Sequence, residues 1–294
     1  MRRENGAAPA RVVSVGRNAA WIAFEDETHL RLASLRKNND RLMLVPGDLV
    51  RATALDDERV VIDAREERTF TLERTTVHGR TKTMAANIDG IAIVAAFARP
   101  ALHLAMIDEL LAFAEIHGIA ARLIFTKADL AGDDGTVADV TGLYRGLGYE
   151  TLCANPKTGE GVAEIGTHFA GRRTLLIGQS GVGKSSLFGA LGGDADVGDV
   201  SKTGRGKQTT TSGRLHRFTD GFLIDSPGVG EFELRDLEPA EIARGFVEFA
   251  PLLGACRFTD CVHRSEPGCA VLAALARGAI AASRYHSYRA MLER

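Results

Sequence analysis

Two clusters in this sequence combine residue types and spacing that do chemistry. Gly178–Ser185 reads GQSGVGKS, the G-x-x-x-x-G-K-[ST] pattern of a phosphate-binding loop. Glycines let the backbone wrap close to phosphate, with successive N–H groups pointing inward. Gly178, Gln179, Ser180, Gly181, Val182, Gly183, Lys184, Ser185 and the following Ser186 are the candidate phosphate contacts. Lys184 would reach the β/γ-phosphates and Ser185 would place its hydroxyl on Mg²⁺. The apolar Arg173–Ile177 before the loop reads as a strand, and the residues after it open a helix whose positive end faces the same anion. The second cluster is Cys256, Cys261, His263 and Cys269, spaced C-x₄-C-x-H-x₅-C. Three thiolates and one imidazole make a closed tetrahedral Zn²⁺ site, structural because no position stays open. Such a site supplies folding energy to a segment too small for its own core.

Thr126-Lys127-Ala128-Asp129 gives the phosphate loop a second meaning. An ionised Asp129 accepts two hydrogen bonds from the N1–H and exocyclic amine of guanine, a donor pair that adenine lacks. Lys127 would lay its stem over the base and brace the phosphate loop, and Thr126 would tie the loop in place. At Cys153-Ala154-Asn155 the Ala154 N–H can meet the base carbonyl, with Cys153 a small buried residue. Asp225-Ser226-Pro227-Gly228 follows the pattern D-x-x-G: Asp225 would hold Mg²⁺ through water, and the Gly228 N–H would sense the γ-phosphate. Gly192–Ser212, between the phosphate loop and D-x-x-G, reads as a long mobile loop, and within it Thr210 is the candidate second hydroxyl for Mg²⁺. Val229 stands where a Ras-type GTPase carries its water-orienting Gln, so intrinsic turnover should be slow.

The order of these motifs is unusual. The base-reading TKAD precedes the phosphate loop, and D-x-x-G follows it. No second [NT]-K-x-D occurs after Gly228. Either TKAD is a coincidence or the central domain is circularly permuted, a rearrangement made easy where chain termini lie close in space.

The elements that must position these groups follow from patterning. Ile88–Phe97 is a nearly continuous apolar run, suited to a buried parallel strand. Residues 101–117 carry apolar side chains at helical spacing before Gly118, and Ala121–Phe125 is the strand that delivers TKAD to a sheet's carboxyl edge. Upstream, Arg11–Val15, Ala20–Phe24, His29–Leu35, Leu49–Ala54 and Arg59–Ala64 read as short strands of an oligonucleotide-binding-type (OB) barrel. Downstream, residues 232–250 read as one helix, and Ala270–Ala276 and Ala279–Met291 as two more. On the last of these Arg284, His286 and Arg289 are placed to face a phosphate backbone. The fold class is thus multidomain: a disordered tail at 1–10, an OB-type β-barrel at 11–74, a permuted α/β phosphate-loop domain at 75–231 and a helical zinc-binding domain at 232–294.

The 294 residues carry a formal net charge of -2, so nucleic-acid contact must come from local patches. Lys202, Arg205, Lys207, Arg214 and Arg217 supply one, with no acid among residues 201–217. No apolar run is long enough to span a membrane, and the N-terminus lacks the apolar core of a secretory signal. A cytoplasmic protein is the expectation. In a reducing compartment, clustered Cys point to a metal rather than to disulfides.

With TKAD before GQSGVGKS, a GRG…TTT loop, DSPGV and then C-x₄-C-x-H-x₅-C, the chain resembles the circularly permuted, ribosome-small-subunit-dependent GTPase A family of bacteria. The resemblance covers nearly the whole chain. It implies GTP hydrolysis to GDP and phosphate, stimulated by the 30S subunit during its late maturation. It also implies contacts with 16S rRNA, and neither DNA nor membrane as a partner. A monomer off the ribosome is expected. One departure concerns catalysis: members carry Arg-His before the loop threonines, and Lys207-Gln208 stands here. Gln208 can orient water but cannot act as a titrating base. Lys184, Gln208, Asp225 and Gly228 form the candidate catalytic set. The competing readings are an rRNA-binding scaffold with a residual guanine-nucleotide site, and an ATP-driven enzyme, against which Asp129 speaks.

Overall fold

The computed structural model describes residues 7–16, 19–24, 30–36, 42–56, 59–75, 81–192, 214–218, 221–225 and 237–293. Gln208, Thr210 and Gly228, with the surrounding loop and most of D-x-x-G, lie outside the described residues.

Five short strands close the barrel: β1 (Ala8–Val15), β2 (Ala19–Phe24), β3 (Arg31–Leu35), β4 (Leu49–Ala54) and β5 (Val60–Arg65), in the order β1-β2-β3-β5-β4. Alternation along each strand turns Val12, Ile22, Ala33, Val50 and Ile62 inward, where they are fully buried. Only β3 and β5 pair in parallel; the other pairs are antiparallel. These are the five strands the patterning predicts, within a few residues at each end. β1 begins at Ala8, so Ala8–Ala10 of the expected disordered tail instead pair with β4. The side chain of Phe222 lies under the Arg11 guanidinium, 5.5 Å from the ring centre.

Strands β6 (Thr71–Thr75) and β7 (Thr81–Ala86) form a separate hairpin. The larger sheet holds β8 (Gly90–Ala96), β9 (Ala120–Thr126), β10 (Glu150–Ala154), β11 (Arg173–Ile177), β12 (Arg214–Phe218) and β13 (Gly221–Asp225) in the order β10-β9-β8-β11-β13-β12. Every residue of β8 is buried, as a central strand covered on both faces requires. The pairs β8–β9, β9–β10 and β11–β13 are parallel, and β12 is the antiparallel edge.

Helix α1 (Leu104–His117) is capped at its start by the His103 ring and stopped by Gly118 at φ +64°. Helices α2 (Asp134–Gly146), α3 (Val162–Phe169) and α4 (Lys184–Ala190) complete the α/β part. The expected helix at 232–250 is far shorter. Pro239 and a reciprocal Glu238–Glu241 cap begin α5 (Pro239–Arg244), which ends at Gly245. A Cβ at Gly245 would lie 2.8 Å from the Cβ of Ala112 on α1, so the close approach of α5 to α1 depends on this glycine. The chain then turns through a 3-10 segment, Ala250–Leu252, to the cysteine-rich loop, α6 (Ala270–Ala276) and α7 (Ala282–Met291).

Candidate nucleotide and metal sites

Parallel strands deliver Thr126 and Ala154, two of the expected base contacts, to one edge in register. Thr126 is the last residue of β9, opposite Ala96 of β8 on one side and Ala154 of β10 on the other. Thr126 is buried, and its hydroxyl donates to the Val182 carbonyl at 2.5 Å, with the Ala95 carbonyl 3.3 Å away. Lys127 adopts a left-handed backbone at φ +55°, and its ammonium donates to the carbonyls of Arg99 and, at 2.8 Å, Gly181. TKAD is thus tied to the phosphate loop by two side chains, although 54 and 56 positions separate the bonded residues. Asp129 sits exposed in the 3-10 turn Ala128–Leu130, and Ala154 is buried at the end of β10.

The phosphate loop itself is shaped by its glycines. Gly178 has φ +152°, and a Cβ there would stand 2.1 Å from the carbonyl oxygen of Val94 in β8. Gly181 and Gly183 take φ +83° and +103°. Buried Lys184 arches back and donates to the carbonyls of Gly178 at 2.7 Å and Gln179 at 2.9 Å. Ser180, Ser185 and Ser186 are exposed, while Gln179 is half-buried and Val182 is buried. Asp225 ends β13, with its backbone in register with Leu176 of β11.

The four metal-ligand candidates converge. Their ligand atoms all lie within 4.8 Å of one another. His263 Nδ1 is 3.5 Å from Cys256 Sγ, 3.4 Å from Cys261 Sγ and 3.4 Å from Cys269 Sγ, and the Cys256 and Cys269 sulfurs are 3.9 Å apart. Tetrahedral geometry with Zn–S near 2.3 Å and Zn–N near 2.0 Å has S···S edges of about 3.8 Å and S···N edges of about 3.5 Å, so the donor set fits a closed Cys₃His centre. The thiolate charge has backbone partners: Ala270 N–H donates to Cys256 Sγ at 3.3 Å and Leu272 N–H to Cys269 Sγ at 3.4 Å. The loop is held by Glu266, whose carboxylate accepts from the N–H groups of Val262, Arg264 and Ser265. Partial burial alone would raise its pKa, but those donors outweigh it and bring it down to about 2. Tyr285 and Tyr288 donate their hydroxyls to the carbonyls of His263 and Val262, fastening α7 to the metal-binding loop.

One group of residues escaped sequence reasoning. Arg284 does not face outward; its side chain is fully buried. The guanidinium donates to Asp108 Oδ1 at 2.8 Å and to both oxygens of Glu248 at 2.7 and 3.0 Å, and lies 4.6 Å over the Phe246 ring. Asp108 also accepts from Tyr144 at 2.9 Å and Ser287 at 2.5 Å. Burial would pull the Arg284 pKa down, but its bonds to Glu248 and the charges of Asp108 and Glu248 hold it above its ordinary value. Burial and the Asp108 carboxylate push the Tyr144 phenol up, so it stays a proton donor. Of the other expected phosphate-facing residues, His286 is exposed and Arg289 pairs with Glu293 at 3.3 Å.

A five-stranded OB-type barrel, an α/β domain whose Gly178–Ser185 loop is tied to the TKAD segment that precedes it in the chain, and a Cys₃His cluster together define a circularly permuted phosphate-loop GTPase architecture. Comparison with known proteins agrees. Residues 65–235 match the family model described as RsgA GTPase. The chain is 44% identical over 241 residues to the small ribosomal subunit biogenesis GTPase RsgA of Dickeya dadantii (strain 3937), covering 79% of this chain and 69% of that protein. It is 42% identical over 255 residues to the protein of the same name from Chromohalobacter salexigens, covering 85% and 75%. Among solved structures it is similar to YjeQ from Thermotoga maritima, with a TM-score of 0.77, 30% identity and 98% and 99% of the two chains covered. The fold also matches that of YloQ, described as a circularly permuted GTPase, at a TM-score of 0.77 and 24% identity over 100% and 97%. The chain belongs to the RsgA GTPase family.

Proposed function

We propose that this GTPase hydrolyses GTP as a switch in late maturation of the small ribosomal subunit, acting in the cytoplasm as a monomer that contacts 16S rRNA and neither DNA nor membrane. The observation that carries the reading is the pair of ties, Thr126 to Val182 and Lys127 to Gly181, which join base-reading and phosphate-binding elements of swapped order. The names of the relatives support the ribosomal role. The domains are assigned as 11–74, 75–231 and 232–294, with the barrel extended back to Ala8 by β1.

In this reading Asp129 accepts from the guanine N1–H and amine, the Ala154 N–H meets the base carbonyl, and the N–H groups of Gly178–Ser186 hold the phosphates. Lys184, held back on carbonyls of the loop, turns to the β/γ-phosphates and steadies the developing charge. Ser185, Thr210 and, through water, Asp225 would supply hard oxygen ligands of the kind Mg²⁺ takes, and the ion would offset negative charge on the phosphates. Gly228 reads the γ-phosphate and Gln208 orients the attacking water. With Val229 beside Gly228, the small subunit supplies or positions what the isolated chain lacks. The Cys₃His centre holds one structural Zn²⁺.

The test is GTP turnover by metal-loaded protein with and without 30S subunits, beside a Lys184→Ala variant. Slow turnover that subunits accelerate, lost in the variant, is expected. Turnover in Lys184→Ala equal to the parent's would leave an RNA-binding scaffold with a residual nucleotide site.

A further inference from the structure

Asp108 lies in the second turn of α1 and receives three donors from two other helices: Arg284 and Ser287 from α7, and Tyr144 from α2. The base-reading loop is flanked in sequence by these same helices. α1 runs into β9, whose last residue is Thr126, and α2 begins at Asp134, just beyond the Ala128–Leu130 turn. On its other side α1 emerges from the segment holding Arg99, whose carbonyl accepts from the Lys127 ammonium. One carboxylate therefore pins together the two helices that frame TKAD, and the C-terminal helix supplies two of its three bonds.

Undocking of such a joint would be abrupt rather than gradual. With α7 docked, every Asp108 and Glu248 oxygen named above is paired and the single guanidinium serves both acids. With α7 withdrawn, Asp108 keeps only Tyr144, and a buried carboxylate stripped of its cation is strongly unfavourable, so α1 must shift to let water in. We infer that Asp108 is a positioning residue that couples docking of the metal-bearing C-terminal segment, through α1 and α2, to the affinity of the TKAD loop for the guanine base. The inference rests on the guanine-nucleotide reading proposed above. Coupling is reciprocal: GDP bound at TKAD stabilises α7 on α1 by the same factor that docked α7 strengthens GDP binding.

The test uses the full-length, metal-loaded chain and two variants that break different sides of the joint, Arg284→Lys and Tyr144→Phe. Binding of a fluorescent GDP analogue and of inorganic pyrophosphate, which has no base, is measured by titration and competition. Amide exchange of Ala282–Met291 is followed with and without GDP. Both variants should bind GDP about fivefold more weakly, the low end of usual site-to-site coupling, while pyrophosphate affinity and metal content stay at parental values. GDP should slow exchange in α7 of the parent and no longer do so in the variants. Unchanged GDP affinity in a folded Tyr144→Phe, or GDP and pyrophosphate affinities falling by the same factor, overturns the coupling. A parent that binds ADP as tightly as GDP overturns the guanine reading itself, and the coupling with it.

Discussion

The Thr126 hydroxyl and the Val182 carbonyl meet at 2.5 Å in a buried site, joining the end of β9 to the phosphate loop. Replacing Thr126 with Val keeps the shape and removes the donor to the Val182 carbonyl. An unsatisfied buried acceptor costs about 1–3 kcal/mol. Thr126→Val is therefore expected to lower unfolding free energy in urea by that amount and to speed release of a fluorescent GDP analogue in stopped flow. Unaltered stability and release would mean that the tie contributes nothing to the site.

The Cys₃His cluster predicts a metal-dependent fold for residues 256–269. Co²⁺ in place of the native metal should give the intense visible absorption of a tetrahedral thiolate site, one ion per chain by titration. Cys261→Ser should weaken binding and lower the intensity of the sulfur-to-cobalt charge-transfer band, and a chelator should lower the melting temperature. Glu266 touches no ligand atom but holds three loop N–H groups. Glu266→Ala should loosen metal affinity about 10–100-fold, the usual effect of removing an outer support. A spectrum typical of octahedral Co²⁺ would contradict a closed site.

What could be read in the residues, and what could not, divides along a physical line. TKAD, GQSGVGKS and the cysteine cluster are local patterns whose chemistry is fixed by residue type and spacing, and the barrel strands announce themselves by alternation and by turns such as Pro46-Gly47-Asp48. The buried joint at Asp108 has no such signature. Arg284 sits in a helix of low hydropathy, and its acceptors lie 176 and 36 positions away, so nothing near it in sequence marks it as internal. For a related reason, the helix that the spacing predicts over 232–250 is longer than the one formed. Its apolar spacing continues past Gly245, but the chain must turn there because the glycine packs on the backbone of Ala112.

That joint gives a large and simple expectation. Asp108 is buried with three donors aimed at it, and Asp108→Ala would leave Arg284 with Glu248 alone. Removing one member of a buried ionic network costs about 3–5 kcal/mol. Equilibrium urea unfolding, followed by far-ultraviolet circular dichroism, should show a loss of that size. A loss below ~1 kcal/mol would fall in the range of an exposed pair and contradict the burial.

Base selection supplies the sharpest expectation for Asp129, which is exposed at the carboxyl edge of the sheet in the turn after β9. In the proposed reading the carboxylate accepts from guanine's N1–H and amine; asparagine would keep an acceptor for N1–H but meet the amine with a donor of its own. Xanthine carries a carbonyl where guanine carries the amine, so the asparagine amide can donate to it. A hydrogen bond to a charged group contributes about 1.5–3 kcal/mol, so Asp129→Asn should weaken GDP binding roughly 10–150-fold. The same variant should gain affinity for xanthosine diphosphate, while pyrophosphate binds as in the parent because the phosphate loop is untouched. Competition titrations with the three ligands decide it: a uniform fall for all of them would place Asp129 in the support of the loop rather than against the base, and an unchanged preference for guanine would move base recognition to another residue.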